Sequence, residues 1–430
     1  MCNLEIYKME RKRILWISGS GCYIPVHKRK LGYNGGSWAT SIQKELLKRN
    51  DIELACAFCK DGEPPKVIQN GVTYYVVPNH KKSRKDKIID LVKIKDVTRD
   101  EILWPYYEEK FKAIIDDFRP DVIHIFGSEL YQSLAALVTG GIPTILHIQG
   151  ILSECIYNLL PPSVSKWQYI NSGKGLSGKY HNFQLLAYWN RSAHREKAIM
   201  KAVPNVIGRT EWDQSVSKIL NPHVHYYYGS EILRECFYEP AERNLPSKPI
   251  ITTTISVPLY KGFDLILKVA NILKNEMHID FIWNVYGNVD ASFTENHTGL
   301  RHQDLNVNLC GVASAEELRT SLLNSTLYFH SSYIENSPNA VCEAQILGLP
   351  VVASRVGGTD SMVEHGKTGF LYPVTDPYMA AYYIGRMIEE KEENVKIGKQ
   401  AREVALVRHN KGKIVEELLK TYQEIGYGTK

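Results

Sequence analysis

Short runs of β-branched and aromatic residues alternate with amphipathic stretches along this chain, and the alternation is broken off and begun again. The first block reads RILWISG (13–19), GGSWATSIQKELLKRN (35–50), IELACAF (52–58), VTYYVVP (72–78), a helical YYEEKFKAIIDDFRPD that ends at Pro120, VIHIFG (122–127) and TILHIQG (144–150), with NVIGRT (205–210) after an interruption. The second block reads IITTTIS, GFDLILKVANILKN, DFIWNVYG, SAEELRTSLLNS and LYFHSS. Strands apolar on both faces and separated by helices require a parallel sheet covered on both sides. Between the blocks, YEPAERNLPSKP (238–249) carries three prolines and mixed charges, which marks a linker. The expected fold class is α/β, with two Rossmann-like, doubly wound domains, 1–240 and 241–410, facing a cleft. The amphipathic KIVEELLKTYQEI (413–425) lies in a terminal helix, 411–430, expected to pack back on the first domain. Ligands of such sheets bind beyond the carboxyl ends of the strands, so the chemistry is sought in loops that follow strands.

Composition removes several classes. The length of 430 residues suits two or three domains. The formal charge of +5 is small, and no Lys/Arg stripe is interleaved with aromatics, so nucleic acid is not an expected partner. No apolar run approaches the roughly 18 residues of a membrane span. The opening MCNLEIYKMERKRILWISGS is too charged for a signal peptide. The eight cysteines are scattered, and CAFC (56–59) alternates along a strand with no second CxxC to complete a zinc site. Buried thiols in a cytoplasmic setting are expected. The run HKKSRKDK (80–87) is either a solvated loop or a contact with anionic lipid headgroups at the inner face of a membrane.

The densest signal is YIENSPNAVCEAQILGLPVVASRVGGT (333–359). Ser337 is suited to cap a helix and Pro338 to be its first residue. Gly348 is placed to close that helix after Leu347. The free amides of Asn339, Ala340 and Val341, with the helix dipole, would form an anion site. Glu343 shares a face with Asn339 but stands in an almost wholly apolar helix, with no basic residue within one turn. A buried carboxylate needs a partner: a ligand diol, or an arginine from elsewhere. Gly357 and Gly358 permit either a plain turn or a close backbone approach. EHGKTGFLY reads as a glycine-turned hairpin. The dinucleotide fingerprint fails at ISGSGCYI (17–24), which lacks the third glycine and the later acid.

The ordered set Glu335-x7-Glu343, GLPVVASRVGG and GKTGFLY resembles the signature of retaining glycosyltransferase family 4, the glycosyl transferases group 1 of GT-B fold. NLCGVASAEEL (308–318), YNGGSWATSIQKEL, DVIHIFG, TILHIQG and YKGFDLIL extend the likeness over most of 13–425. The resemblance implies transfer of a sugar from a nucleotide sugar, such as a UDP- or GDP-sugar, to a saccharide or lipid-linked acceptor, often in polysaccharide biosynthesis. It implies that Glu335 holds donor-sugar hydroxyls under the reacting carbon and that Glu343 takes the ribose hydroxyls. Lys261 and the amides of 339–341, opened by Ser337, would hold the diphosphate. Gly35 and Gly36 would approach it from the other domain, Gly311 would turn beside the base, and His147 would face the sugar. The family's arginine six residues before the lysine is replaced here by Ile255, and Ser256, Lys28, Arg29 and Lys30 are candidates to compensate. With no D-x-D in the chain, a metal-independent reaction without a cofactor is expected. Two other readings of the fold are a nucleotide-sugar epimerase and a non-catalytic sugar-nucleotide scaffold. The irregular, aromatic-rich 155–200 favours a transferase, which needs room for a second substrate.

Overall fold

The computed structural model describes residues 11–19, 38–81, 83, 86, 89, 93, 96–240, 242–256 and 259–426. Gly35, Gly36 and Lys28, Arg29 and Lys30 lie outside the described residues, as do Lys82, Arg84, Lys85 and Lys87 of the basic run.

Two sheets form from the two blocks. The first contains β1 (Lys12–Ile17), β2 (Ile52–Cys59), β3 (Lys66–Gln69), β4 (Val72–Val77), β5 (Val122–Phe126), β6 (Thr144–His147), β7 (Asn205–Gly208) and β8 (His225–Tyr228), in the order β3-β4-β2-β1-β5-β6-β7-β8. The second contains β9 (Ile250–Thr254), β10 (Ile282–Tyr286), β11 (Val307–Gly311), β12 (Leu327–His330), β13 (Val351–Ser354) and β14 (Phe370–Tyr372), in the order β11-β10-β9-β12-β13-β14. Every pairing is parallel except β3 with β4. That hairpin turns through Asn70 and Gly71, both at positive φ (51° and 77°), the geometry that Asn-Gly supplies at least cost.

EHGKTGFLY is not a hairpin. Its FLY segment is β14, which pairs parallel with β13, and the glycines only turn the chain back toward the sheet. The residues of 155–200 also take more regular structure than their composition suggests. They form a short helix, Lys166–Asn171, opened by a Ser165–Gln168 capping box, and a helix of 28 residues, Gly175–Ala202. Its buried positions, among them Leu186, Ala193, Arg195, Glu196 and Ile199, include two charges that obscure any apolar stripe.

The chain passes from the first sheet to the second through 229–249 and returns after His409. His409 ties the two passages, since its Nδ1 lies 2.9 Å from the Glu231 carbonyl and its own carbonyl accepts from the Tyr238 hydroxyl at 2.8 Å. The final helix, Lys411–Glu424, covers the outer face of the first sheet. Ile414, Leu418 and Tyr422 join the cluster of Ile14, Trp16, Trp38 and Phe58. The Tyr422 hydroxyl accepts from Trp16 Nε1 (3.2 Å) and lies 2.6 Å from His124 Nδ1.

Candidate functional site

The carboxyl ends of both sheets open on a cleft of about 690 Å³. Its second-domain wall starts with β12, which delivers His330 and then turns through Ser331–Asn336. This turn is held from two sides. Gly262, at φ 74°, has no room for a Cβ because Ser331's carbonyl oxygen would collide with it. Gly357 is at φ 49°, where a Cβ would strike the carbonyl oxygen of Glu335, and the Gly358 amide donates to that same oxygen at 3.0 Å. The Gly-Gly pair therefore shapes the Glu335 loop rather than turning the chain alone.

Lys261 Nζ donates to Glu335 Oε2, and Ser332 Oγ donates to the same oxygen at 3.2 Å. His330 Nε2 stands 3.8 Å from it and has no hydrogen-bond partner. Burial pushes the Glu335 carboxyl up, but Lys261 and then His330 outweigh it and hold it below the usual range. Burial drives His330 down to about 4, so the imidazole is neutral beside this pair. His330 is a cleft residue that the sequence did not single out, because a lone histidine at the end of an apolar strand carries no pattern.

The helix that follows runs Asn339–Ile346, one residue later than expected. Ser337 does not cap it. Its hydroxyl donates instead to Glu231 Oε1 at 3.0 Å, and Pro338 takes the cap position without a side-chain bond. The Val341 amide is also withdrawn from the anion site, since it donates to the Pro338 carbonyl at 2.9 Å and its side chain is buried. Asn339 and Ala340 keep the open first turn, and both line the cleft with Ser337.

Glu343 has a partner after all. Arg234, from the connecting segment, grips it with two parallel bonds, Nε to Oε1 and Nη2 to Oε2, both 2.7 Å. Burial pushes the carboxyl up and the guanidinium opposes that. The partner lies 109 residues away, beyond any search of one helical turn. Arg209, after β7, is a third cation at the cleft and is buried, donating to Glu231 Oε2 (2.6 Å) and the Ile148 carbonyl (2.9 Å).

His147 does not reach the cleft. It ends β6 inside an aromatic stack with Trp38, His124 and Phe126, neither ring nitrogen has a partner, and burial holds it well below the usual histidine range. Its neighbour two residues on, Gln149, lines the cleft instead. Ser256 is exposed at the rim beside Ile255, whose side chain is buried, and both line the cleft. Gly311, at φ 72°, ends β11, and the following Val312 and Ala313 form that wall. Among the described residues no group of three or more His, Cys, Asp or Glu side chains is placed to hold a metal ion. No described helix is long and apolar enough to cross a membrane.

Residues 239–404 match the family described as glycosyl transferases group 1. The sulfoquinovosyl transferase SQD2 of Arabidopsis thaliana is 28% identical over 161 residues, which are 37% of this chain and 30% of that protein. The curated relatives are thus matched over about a third of their length or less. The solved structures show the fold across the whole molecule. Sucrose-phosphate synthase from Thermosynechococcus elongatus superposes with a TM-score of 0.67 at 16% identity, covering 96% of this chain and 99% of that one. Anabaena HepE, solved with UDP-glucose, gives 0.61 at 16% identity, with 96% and 99% covered. Residues 239–404, which hold Lys261, Glu335 and Glu343, therefore match the glycosyl transferases group 1 family, within a chain whose two facing sheets have the GT-B fold.

Proposed function

We propose that this chain is a retaining glycosyltransferase that moves a sugar from a nucleotide sugar, of the UDP- or GDP-sugar kind, to a hydroxyl of a saccharide or lipid-linked acceptor. The observation that carries the reading is the Lys261–Glu335 pair, set in the cleft wall beside the open first turn at Asn339 and Ala340. A helix N-terminus and a buried ammonium are suited to a diphosphate. A carboxylate next to them is suited to sugar hydroxyls. In the proposed step the bond from the sugar's anomeric carbon to the diphosphate oxygen breaks, and its electron pair leaves with the phosphate. The acceptor oxygen bonds the same carbon from the same face, and its proton passes to the departing phosphate oxygen. Glu335 steadies positive charge on the sugar, and Lys261 with the two amides steadies negative charge on the leaving group. That division supports a reaction without metal. In this scheme Glu343, held by Arg234, presents its remaining lone pairs to the ribose. Ile255 leaves the diphosphate one cation short of the family pattern, and Arg209 and Arg234 are described arginines that line the cleft with Lys261.

The test is a panel of UDP- and GDP-hexoses with a pool of saccharide acceptors, following released nucleotide and, by NMR, the anomeric configuration of product. Transfer with the donor's configuration kept is expected. An inverted anomer would reject retention, and a chain that binds no nucleotide sugar would reject the reading as a whole.

A further inference from the structure

A second cavity of about 190 Å³ adjoins the cleft at Glu335. It shares two wall residues with the cleft, Gln149 and Glu335. The two spaces therefore meet at the carboxylate assigned to the donor sugar. Transfer needs this arrangement, because two substrates must reach one carbon from separate compartments.

The lining of the second cavity is chemically distinct. No Lys, Arg or His belongs to it. Trp189, Trp212 and Tyr260 supply aromatic surface, and Trp189 and Tyr260 meet edge to face at 6.3 Å, closing it from both domains. Trp189 comes from the long helix Gly175–Ala202, which belongs to neither sheet. The one carboxyl besides Glu335 is Glu129, in the loop after β5. Its Oε1 accepts from the Gly150 amide at 3.0 Å, and no side chain of the described residues donates to Oε2. Gly127, at φ 78°, makes room for this side chain, since a Cβ there would collide with Oε2. Burial, with Glu196 adding to it, pushes the Glu129 carboxyl up to about 7, so it is ready to hydrogen-bond hydroxyls in either protonation state.

Aromatic faces suit the C–H face of a sugar ring, and carboxyls suit vicinal hydroxyls. Glu335 is already paired with Lys261, and Glu129, which has no ion pair among the described residues, disfavours a phosphate in the same space. We propose that this second cavity is the acceptor subsite, and that it takes a neutral sugar ring or polyol, stacked on Trp189 and held through its hydroxyls by Glu129. The assignment rests on the transfer reading above.

Saturation-transfer NMR on the full chain tests it, with UDP or GDP present at saturating concentration and methyl glucosides, galactosides and mannosides as probes. At least one methyl hexoside is expected to show transfer with nucleotide bound, falling at least fivefold in both Trp189→Ala and Glu129→Gln. Hexose 6-phosphates are expected to show none. Nucleotide signals that persist in both variants show that they are folded, and Glu129→Gln keeps the side-chain shape if Trp189→Ala does not fold. Hexoside signals that survive both substitutions, that nucleotide abolishes, or that are absent from the unaltered chain overturn the subsite. A chain that gives no signal from UDP or GDP overturns the transfer reading itself, a separate result from loss of the hexoside signal alone.

Discussion

Arg234 and Glu343 meet fork to fork, Nε to Oε1 and Nη2 to Oε2 at 2.7 Å each, and so join the connector between the sheets to the helix Asn339–Ile346 in the cleft wall. Both side chains are largely buried, at 17% and 5% exposure. Removing one partner strands the other. Arg234→Met is expected to cost about 3 kcal/mol in urea unfolding, because a buried carboxylate is left unpaired. Arg234→Met with Glu343→Leu is expected to recover most of that loss and yet bind UDP or GDP at least tenfold more weakly than the unaltered chain. A double variant that binds nucleotide normally would remove Glu343 from the site.

Glu335→Gln keeps the shape of the loop and removes one charge. Turnover is expected to fall by roughly 10² to 10³, the range found when a single group facing transition-state charge is lost. Folding should be preserved, by circular dichroism. Turnover within about threefold of normal would exclude Glu335 from the chemistry.

Gly357→Ala tests the loop without touching the cleft. The new methyl must sit at φ 49° against the carbonyl oxygen of Glu335. A shift of that carboxylate by about 1 Å is enough to lower turnover by about 10². Nucleotide affinity, measured by calorimetry, should change by less than about threefold. Equal losses in both would mean that the whole domain, not the loop, is disturbed.

Buried imidazoles, among them His124, His147 and His330, set an acid limit on the fold. Burial takes His124 to about 3 and His330 to about 4, and His147 also lies well below the usual value. In the unfolded chain each titrates near 6.5. Below that pH the unfolded state binds more protons than the folded one, so stability present above about 6.5 is lost as pH falls toward 4. Urea midpoints should drop between pH 7 and pH 5.5 by the equivalent of about 1.4 kcal/mol per imidazole. His124→Gln should show a smaller drop, and identical slopes in the two proteins would rule out His124 as a contributor.

Both sheets were legible because apolar strands and polar-faced helices differ in period, and β1, β2, β9 and β12 stand out by that signal alone. The strands that escaped are edges. β3 and β8 carry half-exposed residues, KVIQ and HYYY, that lack an apolar run. β14 was seen but mispaired, since a glycine turn before a strand says nothing about which neighbour the strand will meet. At the candidate site, Glu335 and the first turn at Asn339 lie in one short motif and Lys261 was named through the family resemblance alone, and all three line the cleft. Arg234, Arg209 and His330 could not be read, because each gains its meaning only from residues that folding brings up, such as Glu343 across 109 positions. His147 shows the converse: its place at the end of a strand was right, yet its ring turns into the aromatic stack and not toward the cleft.

The packing of the final helix on the first sheet fixes an order of events during synthesis. Trp16 and Tyr422 bond across 406 residues, and Ile414 and Leu418 cover the same face. A nascent first domain leaves the ribosome with that face bare, and it stays bare while the whole second domain is made. The first domain is therefore completed only after the second has been made. Until the helix Lys411–Glu424 arrives, the face around Trp16 lacks the apolar cover that Ile414, Leu418 and Tyr422 give it.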